Sequence, residues 1–247
     1  MSIDQEGELR GLRRVGAVVA RTIALMRRLV TPGITTGEID DSAAGYMRSE
    51  GARSAPQLAY RFPGATCISV NDEAVHGIPG KRVLQAGDLI TLDVTAELDG
   101  FYGDAAITIP VGNASARALQ LCAAAESAFW KAANIAQAGT QLSLVGRAVE
   151  TEVKAHGFRV MRELCGHGIG RAIHERPEVL NYYEPSNRVV LQRGLVIALE
   201  PIIASGNPRI RLLRDGWTVC SEDGSLTAHF EHTIVITRHR PLILTAA

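Results

Sequence analysis

Apolar residues recur at helical spacing from near the start of the chain. Leu9, Leu12, Val15, Val19, Ile23 and Met26 fall on one stripe, predicting a helix over about 4–29 with arginines on its solvent side. Thr31-Pro32-Gly33 breaks it, and Thr35 with Glu38 three residues later is a capping-box signature for a second helix stopping near Gly51. A strand is expected around Thr66–Val70, then a loop with His76. From Leu89 to Ile109 the period changes to two, and Asp99-Gly100 sits at the midpoint, the pattern of a β-hairpin. That turn pairs Leu98 with Phe101 and Thr95 with Asp104. One face then carries Ile90, Leu92, Val94 and Ile107, and the other carries Asp93 and Asp104. Diagonal neighbours on one face lie roughly 7–8 Å apart, and two bare carboxylates pointed together repel unless a cation lies between them. An edge hairpin with both aspartates in solvent is the alternative. Beyond the loop at Gly112–Ser115, a long Ala-rich helix is expected to about Ala136, and another from about Leu142 to His156, stopped by Gly157. Strand and turn signals fill the remainder, giving an α/β chain.

The second half repeats the first. Gly33 and Gly51 bracket a helix, as do Gly139 and Gly157 at the same separation. Val83-Leu84-Gln85-x-Gly87-x-x-Ile90-x-Leu92-Asp93 has a counterpart in Val190-Leu191-Gln192-x-Gly194-x-x-Ile197-x-Leu199-Glu200. Asp93 thus maps onto Glu200, and Asp104 finds a partner in Glu231 of the last strand. Four acidic groups, two from each half (about 1–112 and 113–247 of a single catalytic domain), would meet between pseudo-symmetric halves and form a metal site.

Composition narrows the class. Lys+Arg and Asp+Glu both number 26, so no net positive field draws nucleic acid or a membrane surface. No signal-peptide pattern opens the chain and no apolar run is long enough to span a membrane, so a cytoplasmic protein is expected. Cys67, Cys122, Cys165 and Cys220 are scattered, without the CxxC pairs of a zinc ribbon or redox motif. The glycines of Cys165-Gly166-His167-Gly168-Ile169-Gly170 do not make a phosphate loop, because Pro177 follows where a helix should open. They would instead allow close backbone approach around a ligand histidine, His167. His174 and His76 are either structural histidines or hydrogen-bond donors beside the carboxylates.

NDEAVHGIPG (71–80), TLDVTAELDGFYGDA (91–105), GHGIGRAIHE (166–175), ALEPII (198–203) and HFEHTIVIT (229–237) together closely resemble the type I methionine aminopeptidases, in the short bacterial form. The resemblance implies a pita-bread fold, two related halves with antiparallel sheet and flanking helices around a dinuclear metal site. It implies metal ligands at Asp93, Asp104, His167, Glu200 and Glu231, with His76 and His174 as substrate-contacting histidines. The cofactor would be two divalent ions, with Co, Mn, Fe and Zn all open. Catalysis would rest on His76, His174 and Glu200, the last shuttling a proton. The methionine pocket would be lined by Tyr60, Phe62, Cys67, Ile173 and Trp217. The implied substrates are peptide and nascent-chain N-termini, handled by a monomer, with ribosome docking left open. Two positions depart from better-known members: Ile173, often aromatic there, and His229, often Gln. A specialised paralogue, a proline-specific peptidase of the same fold and a non-catalytic binding protein are the competing readings.

Overall fold

A computed structural model describes residues 1–246. The first half runs α1 (Glu6–Leu29), α2 (Thr36–Ser49), β1 (Arg53–Ser54), α3 (Ala55–Tyr60), β2 (Cys67–Val70), β3 (Glu73–Val75), β4 (Leu89–Leu98) and β5 (Phe101–Pro110). The first helix begins at Glu6, because Gln5 is extended and the Glu8 carboxylate takes the Asp4 and Gln5 N–H groups. The expected capping box of α2 is present: Thr35 Oγ1 accepts from Glu38 N at 3.2 Å and Glu38 Oε2 accepts from Thr35 N at 2.8 Å. Helix α3 carries no apolar stripe in its six residues. It starts where the Ser54 hydroxyl accepts from Gln57 N, with Pro56 in its first turn, and ends on Arg61 in the left-handed region.

The second half runs α4 (Ala116–Ala133), α5 (Leu142–Ala155), β6 (Arg159–Val160), β7 (Gly166–Gly168), β8 (Glu175–Val179), β9 (Val196–Leu199), β10 (Ile202–Ala204), β11 (Ile210–Leu212), β12 (Val219–Ser221), β13 (Thr227–Val235) and β14 (Leu242–Ile243). The β4–β5 hairpin has the expected register, with Leu98 opposite Phe101 and Thr95 opposite Asp104. In the second half β9 and β13 pair across the intervening β10, β11 and β12, so the equivalent of the hairpin is split by an insertion.

The main sheet follows the order β1-β4-β5-β13-β9-β7-β8, and β5 against β13 joins the halves. In the first half Ile90, Leu92 and Val94 pack in one core with Val15, Val19, Ile23 and Met26 of α1. In the second half Ile197 and Leu199 of β9 share a core with Leu121 and Phe129 of α4 and Val145 of α5. Fully burying one such side chain contributes about 1.5–3 kcal/mol, enough to fix which face of each strand turns inward. The opposite face, with Asp93 and Asp104, is left for chemistry. Among the described residues no helix is long and apolar enough to cross a membrane.

Candidate metal centre

Strand register gathers the acidic residues. Thr95, Asp104, Thr233, Ala198 and His167 form one row across β4, β5, β13, β9 and β7. The Thr233 hydroxyl locks this row by accepting from Asp104 N and donating to Asp104 O, both at 2.8 Å. The next row runs Asp93, Ala106, Glu231. Glu200 lies between β9 and β10, which pair with β13 in one continuous register, and so arrives beside Glu231. Small residues at the centres of both rows (Ala106, Ala198, Thr233) are fully buried and leave room above them for side chains to converge.

The expected ligands converge unequally. Asp104, His167 and Glu231 bring one ligand atom each within 4.8 Å of one another. His167 Nε2 stands 3.5 Å from Glu200 Oε1. Asp93 lines the same cleft but falls outside that tight group, and its charge and that of Asp104 oppose each other. Close approach of β7 depends on its glycines: a Cβ at Gly166 would overlap the Ala198 carbonyl, and one at Gly168 the Arg176 carbonyl. The stretch 166–175 is strand, turn and strand, which fits a ligand-bearing segment and not a phosphate loop.

His174 follows on a turn wound around Glu175, whose carboxylate accepts from Arg171 N at 2.7 Å and Ala172 N at 2.9 Å and pairs with the Met1 amine. Its ring packs edge-on against His167 with centroids 4.2 Å apart, and its Nδ1 lies 2.6 Å from the Tyr60 hydroxyl. His76 sits at the mouth of the cleft with φ +58°, a left-handed conformation that is uncommon for a residue with a Cβ and is often found at functional sites. Phe62, Cys67, Ile173 and Trp217 line the apolar wall of this cleft of about 340 Å³, with Phe62 and Trp217 edge to face at 5.2 Å. Tyr60 is exposed and lines the same cleft; its hydroxyl serves His174.

Two contributors were not among the expected site residues. His229 is 2% exposed and its Nε2 lies 3.6 Å from both Glu200 Oε2 and Glu231 Oε2. Its position two before Glu231 on one strand puts both side chains on one face, which is the signal that could have found it. Asp40, buried in α2, accepts from Ala65 N, Thr66 N and the Thr66 hydroxyl, and so holds the backbone leading into Cys67. Nothing in the local sequence marks it.

The electrostatics favour either protons or a cation among the carboxylates. Burial and mutual repulsion push Asp93, Glu200 and Glu231 well above the usual carboxylate range, and burial takes Asp104 to about 7. Burial pushes His167 down to about 4 and His229 to about 3, so both rings are neutral with a lone pair to offer. His167 Nδ1 meets Gly168 O at 2.9 Å, a contact that puts the proton on Nδ1 and leaves Nε2 facing Glu200. Asp104 Oδ1, Glu200 Oε1, Glu231 Oε1 and both His229 nitrogens are buried without a hydrogen-bond partner. Burying a lone charge costs several kcal/mol. A carboxylate cluster with neutral imidazoles and orphaned oxygens fits divalent metal.

The metal-free protein should show this charge crowding in its stability. Native carboxylates with raised pKa hold protons that the unfolded chain has released, so stability falls as pH rises. The lowered histidines act in the opposite sense, but that gain fades above their ordinary 6.5. The midpoint of thermal unfolding in chelator is therefore expected to fall between about pH 6.5 and 8. Saturating divalent metal should abolish the fall. A flat or rising midpoint in chelator would contradict the charge-cluster account.

The chain is similar to known peptidases along nearly its whole length. The chain is 44% identical to methionine aminopeptidase 2 of Bacillus subtilis over 247 residues, covering 99% of each. The crystal structure of a methionine aminopeptidase from Thermotoga maritima superposes with a TM-score of 0.97 at 36% identity, covering 100% of both chains. A prolidase from Pyrococcus furiosus shares the fold at TM-score 0.81 and 20% identity, with 65% of its length covered. Residues 10–238 match the metallopeptidase family M24, and with the convergent carboxylates and imidazoles already in place the chain belongs to that family.

Proposed function

We propose that this protein removes the N-terminal methionine from peptides and nascent chains with a small second residue, acting in the cytoplasm with two bound divalent ions. The observation that carries the reading is the buried cluster of Asp104, His167, Glu200 and Glu231 at the floor of an apolar-walled cleft. Its similarity over nearly full length to methionine aminopeptidases supports the same substrate.

Metal held by Asp93, Asp104, His167, Glu200 and Glu231 would supply Lewis-acid polarisation of the scissile carbonyl and an acidified water. The chain's own residues do the rest. Glu200, whose Oε1 has no protein hydrogen-bond partner, would take a proton from the water and return it to the departing amine. With the Tyr60 hydroxyl, 2.6 Å from His174 Nδ1, as the donor, the ring proton would lie on Nε2 and donate to a carbonyl oxygen as negative charge develops. His76, at the mouth, would contact the scissile amide nitrogen. Phe62, Cys67, Ile173 and Trp217 would receive the thioether side chain and exclude water from it.

A proline-specific activity is the main competitor within the fold, and the prolidase neighbour is a longer chain. A three-peptide panel separates them: Met-Ala-Ser, Met-Lys-Ser and Ala-Pro-Ser. Met-Ala-Ser is expected to be cleaved at least about 10-fold more efficiently than Met-Lys-Ser, with no release from Ala-Pro-Ser. Equal turnover of the two Met peptides would contradict the second-residue preference. Preferential cleavage of Ala-Pro-Ser would overturn the assignment.

A further inference from the structure

His229 has no role in the scheme above, yet it is buried against the centre. Its backbone is pinned: His229 N donates to Thr108 Oγ1 at 2.7 Å, Thr108 Oγ1 reaches His229 O at 3.0 Å, and Thr91 meets Thr108 at 2.7 Å. The side chain therefore projects from a fixed point on the carboxylate face of β13, beside Glu231. Both of its ring nitrogens are buried without a partner.

Its spacing is that of a co-ligand. Nε2 is 3.6 Å from Glu200 Oε2 and 3.6 Å from Glu231 Oε2, too long for a hydrogen bond to either. Two donors about 2.0–2.2 Å from one ion, at tetrahedral or octahedral angles, stand about 2.8–3.6 Å apart. His167 shows nearly the same spacing, 3.5 Å to Glu200 Oε1. The two imidazoles thus flank Glu200, one facing each carboxylate oxygen. Glu200, His229 and Glu231 form a second group whose ligand atoms lie within 4.8 Å of one another, sharing Glu231 with the group of Asp104 and His167.

We infer that His229 is a metal ligand through Nε2, which gives the centre two imidazoles, one on each side of Glu200. The inference rests on the metal-centre reading. A second imidazole makes the donor set richer in nitrogen, favouring Zn²⁺ or Co²⁺ over Mn²⁺ at one of the two positions.

The test is ring-nitrogen NMR on the full-length protein labelled with ¹⁵N-histidine, stripped and then titrated with Zn²⁺, with each ring assigned through its backbone. Zinc is expected to move Nε2 of both His167 and His229 to the metal-bound position. A shift at His167 alone would overturn the inference and leave the metal centre standing, whereas no shift at either would remove the metal-centre reading as well. Calorimetry adds a second readout: His229→Gln should weaken one Zn²⁺-binding step by at least about 10-fold and Mn²⁺ binding by less. Equal Zn²⁺ affinity in a folded His229→Gln protein would also overturn it.

Discussion

Asp104→Asn is expected to give a folded protein that has lost divalent metal and about 10²-fold of its turnover, since even outer partners of metal ligands cost about 10–100-fold. Asn preserves the shape of a side chain that is 6% exposed, and the main-chain hydrogen bonds to Thr233 that lock the row are untouched. What disappears is one negative charge from a crowded set whose other members repel it. The same substitution should therefore raise the thermal stability of the metal-free protein near neutral pH while weakening its hold on metal. Opposite signs for the two readouts separate loss of a ligand from general damage. Elemental analysis and the rate of Met release, measured on the same samples, check the pair. An Asp104→Asn protein with normal metal and normal rate would show that Asp104 is no ligand.

His174→Ala is expected to lower kcat by roughly 10²-fold or more with metal content unchanged, the usual cost of removing one preorganised donor from a developing oxyanion. The ring touches His167 and its Nδ1 meets the Tyr60 hydroxyl, but it belongs to neither group of converging ligand atoms. Tyr60→Phe should cost less, because it frees the tautomer of His174 without removing the ring. The pair of variants distinguishes a donor held in one tautomer from a residue that only fills space. Loss of metal from His174→Ala would make it a ligand and reverse the assignment.

How much of this was legible in the sequence depends on how local the cause was. Asp99-Gly100 sets the β4–β5 register unaided, so the face shared by Asp93 and Asp104 could be read directly. Likewise the Thr35–Glu38 box is enough to mark the start of α2. The pairing of Glu200 with Glu231 is not local: β10, β11 and β12 intervene, and only the internal repeat pointed to it. Helix α3 escaped notice because six residues are too few to show a period, although its Ser54 cap and Pro56 were readable. His229 stood out only as an unusual residue, since burial beside two carboxylates depends on strands far apart in the chain. Asp40 gave no sign, because its partners at residues 65 and 66 are supplied by tertiary packing.

In the proposed mechanism four carboxylates and His167 hold the metal on which methionine removal depends. The most direct test of this is to strip the protein of metal and titrate divalent ion back, while following bound metal and Met release from Met-Ala-Ser together. The stripped protein should be inactive, and activity should return in proportion to metal bound, reaching its plateau as the second ion binds. Full release of Met from protein shown to be free of metal would contradict the account.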